Sequence, residues 1–110
     1  MPYDENLAKR LRALLASEEG VTEKRMFGGL AFLVHGNICV GASHTGGLLA
    51  RIDPEDASAC WARPHVEPMR MRGRTMEGWV SVAPEGLKTR RELASWVDRS
   101  LRVVRGLPRK

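Results

Sequence analysis

The sequence predicts an α+β fold of two layers, in which three helices pack against an antiparallel sheet. Apolar residues recur at helical spacing near both ends of the chain, which is typical of amphipathic helices. The middle of the chain consists instead of short apolar runs separated by glycine-rich turns, which is typical of antiparallel strands. The length of 110 residues suits one domain, residues 1–110, and the expected element order is α-β-β-β-α-β-β-α.

The first helix is expected from Asp4 to about Ser17. The carboxylate of Asp4 can cap free amides of the first turn, and Gly20 is a suitable stop. Helical spacing is shared by Leu7, Leu11, Leu14 and Leu15.

Three antiparallel strands are expected next, separated by turn residues. They are predicted at Arg25 to Val34, Ile38 to Ala42 and Leu48 to Ile52. Leu30, Phe32 and Val34 would share one face of the first strand, and the pair Gly28-Gly29 predicts a bulge or a strong bend before them.

A short second helix is expected after Asp53, which is a suitable cap, because the fixed φ of Pro54 fits a first helical position. It should end before Pro64, since the residue before a proline disfavours the α region.

Two further antiparallel strands are predicted at Val66 to Met71 and Gly78 to Val82. Pro68 indicates that its strand lies at an edge.

The third helix has the strongest local signal. Thr89 and Glu92 fit a capping box, in which the two residues satisfy each other's backbone donors, and Gly106 is a suitable end. The apolar stripe consists of Leu93, Trp96, Val97, Leu101 and Val104.

Charge and cysteine content narrow the function classes. The net charge is +5, and positions 88 to 110 alone carry eight basic and two acidic residues, which indicates a local basic surface. No apolar run is long enough to cross a bilayer and no signal peptide is visible, so we expect a cytoplasmic protein without a membrane partner. Cys39 and Cys60 have no metal-type spacing and are expected to be buried thiols.

The element order and the run Lys-Arg-Met-Phe-Gly-Gly at positions 24 to 29 resemble the N-terminal domain of the TfoX/Sxy family of competence regulators. Gly36-Asn37, Pro68-Met69 and Gly78-Trp79-Val80 support the resemblance, which covers essentially the whole chain. It implies a secretion-chaperone-like α/β fold, a regulatory role and no enzyme activity. It supplies no catalytic residues, and we expect no cofactor and no metal.

The run from Lys24 to Gly29 is the first candidate site. Lys24 and Arg25 beside Gly28 and Gly29 could present charge and backbone amides to a phosphate or to the carboxylate of a partner. The alternative is a bulge that leaves both cations solvated. The spacing is not that of a phosphate-binding loop.

The last helix carries the second candidate site. Arg91, Arg102 and Arg105 fall in one sector opposite the apolar stripe and could lie along a nucleic-acid backbone. The alternative is a solvated face, in which Asp98 pairs with Arg102. Arg90 and Arg91 fit that alternative poorly, because cations at a helix N-terminus oppose the dipole.

Two weaker features complete the list of candidates. Met69, Met71 and Met76 could form an adaptable contact surface or alternate into the core, next to basic residues at the turn around Gly73. Cys39 and His44 could be imagined as a nucleophile and its base, but nothing nearby suggests an oxyanion site.

Two function hypotheses follow from these residues. The first is a non-enzymatic regulatory or adaptor module that contacts a protein partner through its basic surface, a sheet edge or an uncovered face. A homodimer is one form that this contact could take. The second is sequence-independent binding of DNA or RNA by the last helix.

Overall fold

A computed structural model describes residues 3–26, 28–71 and 73–110. In these residues the chain forms three α-helices and one antiparallel sheet of six strands, so the predicted α+β fold class is confirmed. Among the described helices, none combines the length and the apolar character that a bilayer span requires.

Two of the three helices begin at a side-chain cap, because the first amides of a helix need acceptors from outside it. Asp4 accepts from two amides at the start of the first helix, and Thr89 and Glu92 form the predicted capping box of the last one. The second helix follows one turn of 3₁₀ helix, which Asp53 caps, and ends before Pro64 as predicted. The helices are α1 (Glu5–Leu15), α2 (Ala57–Trp61) and α3 (Arg90–Arg105).

The six strands lie side by side in the order β1-β2-β3-β4-β6-β5, and every neighbouring pair is antiparallel. They span Val21–Met26 (β1), Gly29–Val34 (β2), Asn37–Ala42 (β3), Leu48–Arg51 (β4), Val66–Met71 (β5) and Arg74–Val82 (β6). The edge strands are therefore β1 and β5, and Pro68 lies on an edge strand as predicted.

The core lies between the helices and one face of the sheet. The register places Phe32, Val40 and Ala50 side by side on β2, β3 and β4, so their side chains share a face. All three are fully buried, and they cluster with Leu11 of α1 and Leu93 of α3. Helices α1 and α3 pack over β3, and α2 packs over β5 and β6, which gives the two layers.

The segment from Arg25 to Val34 is not the single strand that the sequence analysis expects, because β1 and β2 form a hairpin. Met26 lies opposite Gly29 in the ladder, so the chain reverses within two residues. Gly28 has a φ of +73°, which glycine adopts without steric cost. A side chain at Gly29 would collide with the carbonyl oxygen of Ala42. Gly28 therefore lies in a tight turn and Gly29 begins β2, so the glycine pair marks a reversal of the chain and not the expected bulge or bend within one strand. Four strands precede α2.

Candidate protein-binding face

The sheet face that points away from the helices has no covering layer in the described residues, and we call it the bare face. Along β2 and β4 its central side chains alternate with the core residues, and Ile38 and Met76 line the same space next to register shifts in the ladder. All are apolar, and every strand of the sheet contributes at least one. They are Met26, Ala31, Ile38, Leu49, Met69, Met76 and Trp79.

The bare face curls into a cleft. Met26 belongs to edge strand β1 and Met69 to the opposite edge strand β5, yet both line one concave space of about 190 Å³. In a flat sheet the two edge strands of six would lie about 24 Å apart, since neighbouring strands are about 4.8 Å apart. The sheet is therefore strongly curved around the cleft.

The volume of the cleft indicates what it can hold. A dry cavity of about 150 Å³ holds one benzene, whereas pockets for drug-sized ligands measure about 300–1,000 Å³. At about 190 Å³ the cleft suits one or two apolar side chains, and it is too small for a whole cofactor. Met69 and Met76 line it, and methionine side chains adapt readily to different partners.

One arginine is held beside the cleft by three contacts. The guanidinium of Arg51 lies over the ring of Trp79, 5.6 Å from its centroid, and donates to the carbonyl oxygen of Ile38 at 3.2 Å. From the core side, the buried hydroxyl of Ser100 donates to the carbonyl oxygen of Arg51 at 2.6 Å. A positive charge is therefore fixed next to the apolar lining.

Edge strand β1 borders the bare face and leaves half of its backbone groups unpaired. The amide of His35 donates to the carbonyl oxygen of Gly20 at 2.9 Å, one step before β1 in the ladder. Residues of an antiparallel edge strand bond to their neighbour strand at every second position, so Thr22, Lys24 and Met26 bond to β2. The outward-pointing amides and carbonyls are those of Val21, Glu23 and Arg25.

The charges on β1 are only partly compensated. Glu23 accepts both of its hydrogen bonds from Arg12 of α1, each at 2.7 Å, and this contact lowers the pKa of the Glu23 carboxyl. Lys24 and Arg25 are exposed, and within the described ranges neither has an ion-pair partner. The outer edge of the sheet therefore presents two free cations.

The predicted site from Lys24 to Gly29 is divided by the hairpin. Adjacent residues of a strand point to opposite faces, so Lys24 lies on the bare face and Arg25 on the helix side. Gly28 lies in the turn beyond them and Gly29 begins β2, whereas Phe27 lies outside the described residues.

The predicted basic residues of α3 fall into two groups. Arg91 and Arg102 line a shallow exposed surface on this helix, and Arg90 is also exposed. Arg105 instead forms a bidentate pair with Glu18, at 2.6 and 3.2 Å, and the hydrogen bond lowers the pKa of Glu18. The two ion pairs of the described residues do not include the suggested contact between Asp98 and Arg102.

Sequence reasoning missed a cluster where α2 meets α3. The guanidiniums of Arg63 and Arg99 lie 4.9 and 5.6 Å from the ring centroid of Trp96. The ring nitrogen of Trp61 and the Nε of Arg99 are buried there without an acceptor. The apolar stripe of α3 marks Trp96 as a core residue, but no sequence signal connects it to Arg63, 33 positions away.

The thiols and histidines form no reactive group in the described part of the chain. Cys39 is fully buried, and burial raises the pKa of its thiol to about 12. His44 lies on the surface, which removes it as a base for Cys39. No cluster of three potential metal ligands occurs among the described residues.

The fold and the bare face together define a small two-layer α+β domain whose sheet is covered by helices on one side. The family model of the TfoX N-terminal domain matches residues 13–104, a range that includes all six strands. The chain belongs to that family, as the sequence resemblance predicts. A comparison with curated proteins and a comparison with solved structures found no match.

Proposed function

We propose that this chain is a non-enzymatic regulatory or adaptor module that works through protein–protein contacts, with the bare face as its contact surface. Membership of the TfoX N-terminal domain family supports a regulatory role of the kind found in competence regulators. The observation that carries the proposal is the apolar cleft, because apolar pockets of this kind receive the buried anchor side chains that dominate protein interfaces.

The composition of the cleft favours a protein partner. Trp79, Met69 and Met76 are of the residue types that are enriched in the buried centres of protein interfaces, and Arg51 beside them is another.

Partner capture with matched variants tests this function. The chain is immobilised and used to recover proteins from a lysate of the organism that encodes it. We expect a specific partner that Leu49→Asp loses, because the carboxylate puts a charge where the partner would bury apolar side chains. Ser17→Asp adds the same charge on an exposed turn away from the cleft and should leave recovery unchanged.

Thermal unfolding of both variants establishes that they are folded, and Ile38→Asp provides a second substitution in the cleft. Recovery of the same partners by wild type, Leu49→Asp and Ile38→Asp would refute the proposal.

A second function, nucleic-acid binding by α3, is favoured by one observation. Arg91 and Arg102 share an exposed surface, and neither forms an ion pair within the described residues. Fluorescence anisotropy with labelled DNA and RNA at about 50 and 200 mM salt measures the salt-dependent affinity that phosphate contacts produce. Neutralising Arg91 and Arg102 should weaken such binding. Arg105 is unsuitable for this test, because its loss also leaves Glu18 without a partner.

A further inference from the structure

We propose that β1 accepts an extended segment of a partner protein as an additional strand, and that the segment carries an apolar residue followed by two consecutive acidic residues. This inference rests on the proposed function, since it names the kind of partner that the bare face binds. It depends on the free edge of β1, on its uncompensated charges and on the position of Met26.

The edge of β1 is open to pairing, and the edge of β5 is not. All six residues of β1 follow a regular register with β2, without a bulge. Strand β5 contains Pro68, which has no amide to donate, and its register shifts between Pro68 and Arg70. Prolines and bulges protect sheet edges from pairing with other chains. Of the two edge strands, only β5 carries these two features in the described residues. The edge of β1 is protected instead by its charged side chains, which disfavour segments of like charge and accept one of opposite charge.

The side chains of β1 define what the added strand must carry. Lys24 and Met26 lie on the bare face and Arg25 on the helix side. Three successive residues of a segment that runs antiparallel to β1 therefore lie opposite Met26, Arg25 and Lys24 in that order. The residue opposite Met26 lies at the rim of the cleft and should be apolar. The residues opposite Arg25 and Lys24 should be acidic, since cross-strand pairs of opposite charge are favourable.

A second copy of this chain fits the edge less well than an acidic segment does. Only Val21, Glu23 and Arg25 offer outward hydrogen-bonding groups, so two β1 strands can pair in few registers. Antiparallel registers centred on Glu23, Lys24 or Arg25 each place that residue opposite its own copy. The register centred on Lys24 also pairs Glu23 with Arg25 twice, but it leaves Lys24 opposite Lys24, whereas an acidic segment offers both cations an opposite charge. Like charges directly opposite one another are destabilising.

Amide exchange measured by NMR with a short synthetic peptide tests the proposal. The peptide contains Leu-Glu-Asp between threonine and valine residues and is added at millimolar concentration to the isotope-labelled full chain. The outward amides of Glu23 and Arg25 should exchange more slowly when the peptide binds, because they gain acceptors. The amides of Thr22 and Lys24 already bond to β2 and should change little. A peptide with lysine in place of both acids should have no effect.

Two substitutions at one position separate backbone pairing from charge. Arg25→Ala removes the side chain beyond Cβ, with its charge, but keeps the backbone amide. It should weaken binding of the peptide about two- to fivefold, the factor expected for one cross-strand ion pair. Arg25→Pro also removes an outward amide and should abolish binding. It leaves the β1–β2 bonds intact, because proline is tolerated on edge strands where its nitrogen faces solvent. Equal affinity of the two variants for the peptide would refute strand addition.

Other outcomes overturn the inference in different ways. Slower exchange at β1 that increases with protein concentration, without peptide, would place a second copy on the edge. Peptide-induced shifts at Leu49 and Trp79 without protection of Glu23 and Arg25 would show binding in the cleft alone. Partner capture by Arg25→Pro at the wild-type level, with loss in Leu49→Asp, would refute strand addition and leave the proposed function standing.

Discussion

Two neighbouring leucines on β4 test whether one face of the sheet is uncovered. Leu48 is fully buried beneath the helices, whereas Leu49 is half-buried on the bare face. Replacing each with alanine removes the same atoms from adjacent positions of one strand. The difference in the free energy of unfolding therefore reports what covers each face.

The expected costs follow from the burial of each side chain. Leu48→Ala creates a cavity in a closed core and should cost about 2–5 kcal/mol. Leu49→Ala should cost about 1 kcal/mol, because roughly half of the methylene transfer energy is lost and solvent fills the space. In a domain of this size 1 kcal/mol corresponds to roughly 4 °C, so Leu48→Ala should lower the melting temperature by about 8 °C or more.

Urea unfolding at two protein concentrations about tenfold apart provides the measurement, since stability that depends on association changes with concentration. Unfolding curves followed by tryptophan fluorescence and by circular dichroism should coincide. Both variants should keep the wild-type slope of the unfolding free energy against urea concentration. Equal costs for Leu48→Ala and Leu49→Ala at both concentrations would show that the bare face is covered within the chain. A large cost of Leu49→Ala at the higher concentration alone would identify a second copy as its cover.

Three further predictions concern single contacts. Thr89→Ala should lower the free energy of unfolding by about 1 kcal/mol, because α3 loses its capping box, and an unchanged urea midpoint would contradict that role. The hydrogen bond from Arg105 lowers the pKa of Glu18 in the folded chain. The Glu18 carboxylate therefore stabilises the fold at pH values above its pKa in the unfolded chain. This stabilisation is lost as the pH falls through the lower pKa of the folded chain. Glu18→Gln should therefore lower the free energy of unfolding near neutral pH and make it depend less on pH on the acid side. Identical curves of unfolding free energy against pH for the variant and the wild type would contradict a stabilising pair between Glu18 and Arg105. Burial raises the pKa of the Cys39 thiol to about 12, so a thiol reagent should modify this cysteine only after the chain unfolds in urea. Rapid labelling of Cys39 in the folded chain would show instead that β3 is accessible.

Local signals in the sequence were sufficient for the helices and for most strands. The cap at Asp4, the turn before Pro64 and the capping box at Thr89 each depend on residues within one or two helical turns. Such short-range chemistry acts in the same way in any fold, so it can be recognised from the chain alone. The fold class followed from these elements in their order.

The hairpin of β1 and β2 was missed because its first strand lacks a strand-like pattern. Residues 22 to 25 are polar or charged without alternation and look like a loop, since an edge strand with neither face in the core needs no apolar period. The pair Gly28-Gly29 is the available signal, but on its own it also predicts a bulge or a strong bend within one strand. A turn of two residues ending at a glycine would have explained it equally well.

The candidate site required information that no local pattern contains. Alternation assigns Met69 and Met76 to a face of the sheet, but it cannot say whether a helix covers that face. Whether a residue belongs to a core or to a contact surface depends on the number of layers. Similarly, the partner of Arg105 is Glu18, 87 positions away, so sequence alone could not separate this arginine from Arg91 and Arg102.

The division of the sheet into a covered and a bare face has a consequence for how such a domain can evolve. Along β4 and β6, residues that determine stability, such as Leu48 and Val80, alternate with residues such as Leu49 and Trp79 that line the cleft. Substitutions on the bare face cost little folding energy, so they can accumulate without unfolding the chain. One scaffold can therefore acquire new binding preferences in single steps while its helices and core stay unchanged.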